Sequence, residues 1–105
     1  MGFFDFFRIP DINQGILDYK QTNGALLIDV RTPEEYREGT IPGSKNVPLQ
    51  TISSISKYAS NKDIPLFVYC HSGSRSMQAV GTLKRMGYTN VNNIGGIATY
   101  KGKVS

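Results

Sequence analysis

Apolar residues along this chain fall into short blocks of two kinds. Residues 25–30 (ALLIDV) and 65–70 (PLFVYC) are nearly continuous apolar runs, the pattern of strands buried on both faces of a parallel sheet. Residues 91–94 offer a third strand and residues 45–47 a shorter one. Helical spacing fills the intervals. Ile12, Ile16, Leu17 and Tyr19 predict a first helix, ended by Gly24. Leu49, Ile52, Ile55 and Ala59 continue with the same period. Met77, Val80, Leu83 and Met86 predict one apolar face on a helix over residues 76–86, closed by Gly87. Thr32-Pro33-Glu34-Glu35 reads as a helix start: Thr32 as N-cap, proline at the first position and Glu35 three residues after the cap. Gly39 keeps that helix short. Ile41-Pro42-Gly43 and Gly95-Gly96 read as turns, residues 61–63 as a polar loop, and the segment after Gly96 as a short helix or coil. Strands alternating with helices predict an α/β domain with a mainly parallel sheet.

Composition narrows the class. A chain of 105 residues suits one domain over its whole length and can bury a core without disulfide or metal staples. Hydrophobic content of 39% and charged content of 19% are ordinary for a globular protein. The net charge of +4 comes from scattered lysines and arginines, with no basic run interleaved with aromatics. This argues against nucleic acid and for mild attraction of small anions. No apolar run is long enough to span a membrane, and the start, MGFFDFFRIP, lacks the pattern of a secretory signal. A single cysteine rules out an intramolecular disulfide and fits a reducing compartment, so a cytoplasmic protein is expected. With one histidine and no zinc-type spacing, no metal site is expected, and no cofactor is implied. Phe3, Phe4, Phe6 and Phe7 form a Phe-rich segment within residues 1–10, ahead of a core at about residues 11–101. It either packs on the domain or docks a protein partner.

Chemistry concentrates in residues 70–76 (CHSGSRS). Cys70 ends a predicted buried strand and a helix begins a few residues on. In open α/β sheets, binding sites lie beyond the carboxyl ends of the strands. His71, Ser72, Gly73 and Ser74 make a small loop whose successive N–H groups can form an anion nest, reinforced by the helix N-terminus. Arg75 can add a forked cation. Such surroundings lower a thiol pKa and make the thiolate a nucleophile. The plain alternative is a structural core cysteine. His71 follows Cys70 directly, so a solvent-facing or substrate-lining histidine is expected rather than a Cys–His dyad. Arg31 and Glu35, four apart at a helix start, are placed to pair. Asp29 at a strand end can accept loop N–H groups. For these three, a structural role is preferred to a chemical one.

Several motifs occur together and in order: residues 29–36 (DVRTPEEY), residues 39–48 (GTIPGSKNVP), the cysteine loop at residues 70–76, and residues 88–96 with their strand and Gly-Gly pair. Over about residues 26–100 the chain resembles the rhodanese-like sulfurtransferase family. The resemblance implies a three-layer α/β fold, with a mainly parallel sheet flanked by helices on both faces. It also implies a cysteine that carries sulfane sulfur as a persulfide. A small donor such as thiosulfate or a persulfide would load Cys70, and cyanide or a thiol would unload it. Cys70 matches the catalytic position, His71, Ser72, Gly73, Ser74 and Arg75 the cradle loop, and Asp29, Arg31 and Glu35 the supporting charged motif. Two positions depart: Thr40 stands where the family often has histidine, and Tyr100 where tryptophan is common.

Rival readings remain. Cysteine phosphatases and arsenate reductases on a related scaffold separate their cysteine and arginine by five residues, whereas four separate Cys70 from Arg75. The shorter loop suits sulfur or a small sulfur oxyanion rather than a phosphate ester. A non-catalytic binding module of the same family would be expected to lose the cysteine or its loop.

Overall fold

The structure, a computed structural model, describes residues 10–105; the Phe-rich cluster lies outside the described residues. Four short strands follow the apolar runs: β1 (Leu26–Asp29), β2 (Ser44–Asn46), β3 (Leu66–Cys70) and β4 (Val91–Gly96). They pair in parallel in the order β2-β1-β3-β4. Alternation along each strand sends side chains to opposite faces. Ile28, Val30, Leu66, Val68 and Cys70 enter one core with Ala79 and Leu83, while Leu27, Phe67 and Tyr69 enter the other with Ile12 and Ile16.

Helices cover both faces. The helix α1 (Ile12–Lys20) is capped by the Asp11 carboxylate, which accepts the Asn13 N–H, and it buries Ile12, Gly15 and Ile16. Gly15 lies against the Ile94 side chain, so the helix approaches β4 closely. Leu17 belongs to the expected apolar spacing but is 53% exposed, because the buried stripe runs through residues 12, 15 and 16. On the other face lie α3 (Ser74–Arg85) and the segment Leu49–Lys57. That segment is a 3-10 helix kinked at Thr51 rather than a regular α-helix, yet it still buries Ile52 and Ile55. The buried face of α3 is Ser76, Ala79 and Leu83. Met77 is 66% exposed, against expectation: small Ser76 and Ala79 let the start of the helix sit close over the strands, which turns Met77 outward.

The short helix α2 (Pro33–Glu38) forms as the motif predicts. Thr32 Oγ1 accepts from Glu35 N, Glu35 Oε1 accepts from Thr32 N, and the helix stops at Gly39. Gly95 and Gly96 are not a turn but the end of β4. The register against β3 slips at this point, with Val68 opposite Asn93 and Tyr69 opposite Gly95, which leaves Ile94 as a bulge. Gly95 supplies the left-handed backbone there, with φ +103°. After Tyr100 the chain returns across the molecule, and the backbones of Thr40 and Ser105 exchange two hydrogen bonds.

Candidate active site

The strand order reverses between β1 and β3, so the carboxyl ends of these two strands flank the crevice where α/β sheets place ligands. β3 ends on Cys70 and β1 ends on Asp29. Cys70 is buried, while His71, Ser72 and Ser74 of the following loop are exposed. Gly73 takes φ +106° at the N-cap of α3 and brings no capping side chain. The cysteine sulfur occupies that role instead. Gly73 N donates to Cys70 Sγ at 3.0 Å, and the hydroxyl of Ser76, which closes the 70–76 motif, lies 3.5 Å from it. Burial on its own pushes the thiol up. The Ser76 hydroxyl and the backbone N–H groups of Ser76, Gly73 and Ser72 outweigh it, and the Cys70 pKa lies below its ordinary value.

His71 does not form a dyad with Cys70. Its side chain is exposed, and its backbone carbonyl accepts from Ala98 N at 3.0 Å, which ties the loop to the segment after β4. An open cleft of about 550 Å³ lies beside the loop, lined in part by His71, Arg31, Glu35, Glu38, Ile97 and Tyr100.

The charged motif is wired differently from the expected Arg31–Glu35 pair. Arg31 turns back on Asp29, with its Nη2 at 2.7 Å and its Nε at 3.0 Å from the two carboxylate oxygens, and its own backbone N–H at 2.9 Å. Asp29 is fully buried and also accepts from Thr40 Oγ1 at 3.0 Å. Thr40 and Ser44 each lie 2.7 Å from the hydroxyl of buried Tyr69. Thr40 therefore bridges Asp29 and Tyr69. Tyr100 packs against the α1-side core.

Glu35, released from Arg31, holds Arg75. The two form a fork of 2.7 and 3.1 Å that joins the starts of α2 and α3. The Arg75 guanidinium is thus engaged sideways by Glu35. Its hydrogen bonds lower Glu35 from 4.5 to about 2 against the opposing effect of burial, with help from Thr32. A carboxylate lowered in this way stabilises the fold fully above 4.5 and loses that contribution as pH falls toward about 2. Both side chains are about one third exposed, so the contribution is about 1 kcal/mol. Urea melts should show Glu35→Gln costing about that much at pH 7 and much less near pH 3. Equal losses at both values would detach Glu35 from the acid limb.

The sequence profile of the rhodanese-like domain matches residues 14–103, and the chain belongs to that family. It is 41% identical over 71 residues to the thiosulfate sulfurtransferase PspE of Escherichia coli, covering 67% of this chain and 68% of that protein. It is 40% identical over 80 residues to a sulfurtransferase of Allochromatium vinosum, covering 75% and 74%. Among solved structures, a rhodanese with anions from E. coli superposes with a TM-score of 0.72 at 35% identity, covering 77% of this chain and 96% of that one. Among the described residues, no helix is long and apolar enough to cross a membrane.

Proposed function

We propose that this protein is a sulfurtransferase that moves sulfane sulfur from a donor such as thiosulfate to cyanide or a thiol through a persulfide on Cys70. The observation that carries the proposal is the ring of N–H donors around the Cys70 sulfur, at the crevice end of β3. Relatives named as sulfurtransferases support it.

The Cys70 thiolate attacks the outer sulfur of thiosulfate. A new S–S bond forms on Cys70, the S–S bond of the donor breaks, and sulfite leaves with the electron pair. The acceptor then attacks the terminal sulfur. Thiocyanate or a new persulfide departs, and the electrons of the broken bond return to Cys70 as thiolate. The N–H groups of Ser72, Gly73 and Ser76 hold negative charge on sulfur at both stages. His71, Ser72 and Ser74 form the exposed rim that meets donor and acceptor. Arg75 acts from its place on Glu35, and Asp29 with Arg31 supports the crevice. The cleft beside His71 has room for an organic thiol as well as cyanide. The sequence holds no second cysteine, so the persulfide must be discharged by an outside acceptor. A thiol that stays reactive in this cycle fits the reducing cytoplasm.

Incubation with thiosulfate should raise the intact mass by one sulfur atom, and cyanide should remove it and yield thiocyanate. Cys70→Ser should show neither event. A mass gain that survives in that variant would place the sulfur elsewhere. Aryl-phosphate hydrolysis without sulfur transfer would favour the phosphatase reading, which the sideways engagement of Arg75 already disfavours.

A further inference from the structure

The hydroxyl of Ser76 has one proton and four neighbours. Asn93 Oδ1 is nearest at 2.7 Å, the Gly73 carbonyl lies at 3.0 Å, and Cys70 Sγ and the Gly95 carbonyl lie at 3.5 Å. Three of these are acceptors. The fourth, Cys70, is a donor as a thiol and an acceptor as a thiolate.

The polarity of Asn93 is set by its other partners. Gly95 N donates to Asn93 Oδ1 at 3.0 Å, and Asn93 Nδ2 faces the Gly73 carbonyl at 3.4 Å. Rotating the amide would oppose two donors at Gly95 and two acceptors at Gly73, so the oxygen faces Ser76. The bulge at Ile94 brings this side chain to α3. Ser76 therefore gives its proton to Asn93 and turns a lone pair toward Cys70. That arrangement suits a protonated sulfur, since the Cys70 S–H can donate to Ser76. A sulfur anion needs the reverse: the Ser76 hydroxyl lowers the Cys70 pKa only when it leaves Asn93 and donates to the thiolate.

We infer that Asn93 is a positioning residue that sets the thiolate fraction of Cys70 by competing with the sulfur for the Ser76 proton. The inference rests on Cys70 being the reacting thiol, but not on the identity of what it transfers. The charged group that acts on the sulfur is Arg75, held by Glu35; Arg31 is held by Asp29, and His71 follows Cys70 in the chain. None of them touches Asn93 among the described residues, so they form a constant background.

Thiolate absorbance of the full chain, titrated with pH and corrected with Cys70→Ser, reads the effect without any sulfur donor. Asn93→Ala should lower the apparent pKa and raise the thiolate fraction about two- to fivefold below that pKa, the Gly73 carbonyl remaining as a weaker competitor. In a Ser76→Ala background the same substitution should change nothing. An unchanged or raised pKa in Asn93→Ala, or an equal shift in both backgrounds, would overturn the inference. If Asn93→Ala does not fold, Asn93→Asp keeps the acceptor for Ser76 and Gly95. It should raise the pKa more with Ser76 present than in the Ser76→Ala background, and an equal rise would overturn the inference. Sulfur transfer is assayed separately on the same proteins, so a failure of the proposed activity leaves this result readable.

Discussion

Gly96→Ala should nearly abolish sulfur transfer while leaving most of the protein folded at room temperature. Gly96 has an ordinary extended backbone, φ −133° and ψ 142°, so conformational freedom is not the issue. The constraint is space. A methyl group there would collide with the His71 carbonyl oxygen and come within 2.6 Å of the His71 carbonyl carbon and the Ser72 Cα. All are backbone atoms, which no rotamer change can move. These atoms belong to the loop whose N–H groups surround the Cys70 sulfur, and the His71 carbonyl is also the acceptor for Ala98 N. The loop must back away from β4, taking the Ser72 and Gly73 donors with it. Overpacking of this kind costs about 1–3 kcal/mol, and a domain of about 100 residues loses roughly 4–8 °C of Tm per kcal/mol. Loss of preorganised donors to an anion costs about 100-fold or more in rate. Thiocyanate production and a thermal melt on the same sample separate the two effects. Activity within a few fold of the parent would show that the loop does not depend on this close approach.

That glycine pair marks the limit of what the chain reveals as a string. The apolar runs at residues 25–30 and 65–70 became β1 and β3 because a strand buried on both faces leaves little choice of side chain. Thr32, Pro33 and Glu35 formed their capping box because every partner in it lies within three residues. The position of Cys70 at a strand end before a helix was legible for the same reason. Contacts across the fold were not. Gly95-Gly96 resembles a turn locally, and only the fold shows that Gly95 supplies a left-handed bulge and that the approach of the His71 loop leaves Gly96 no room for a side chain. Arg31 and Glu35 have the right helical spacing to pair, but Asp29 is buried against Arg31, and Arg75 arrives from 40 residues away to take Glu35. Ser76 and Asn93 carry no signal in isolation; a serine in a helix and an asparagine in a strand gain meaning only once the bulge joins them. Met77 has the apolar size of a core residue, yet the close approach that small Ser76 and Ala79 permit leaves it exposed.

Asp29→Ala should be the most destabilising single change at the site, costing about 3–5 kcal/mol. Asp29 is wholly buried and accepts from the Arg31 backbone, the Arg31 side chain and Thr40. Its removal leaves the Arg31 guanidinium, itself only 6% exposed, with the Gly39 carbonyl at 2.7 Å as a neutral partner. An uncompensated buried charge is far more expensive than the loss of the pair's own attraction. Domains of this kind have only about 5–15 kcal/mol of stability, so much of the variant is expected to unfold on mild warming. Removing the charge as well should reverse part of the damage. Asp29→Ala combined with Arg31→Met leaves no buried ion, and urea melts should place it well above the single variant. Sulfur transfer then separates the two possible roles of the motif. If Asp29 and Arg31 only support the crevice, the double variant should recover turnover along with stability. If it regains the fold but stays inactive, the pair has a share in the chemistry that its burial beside β1 does not suggest.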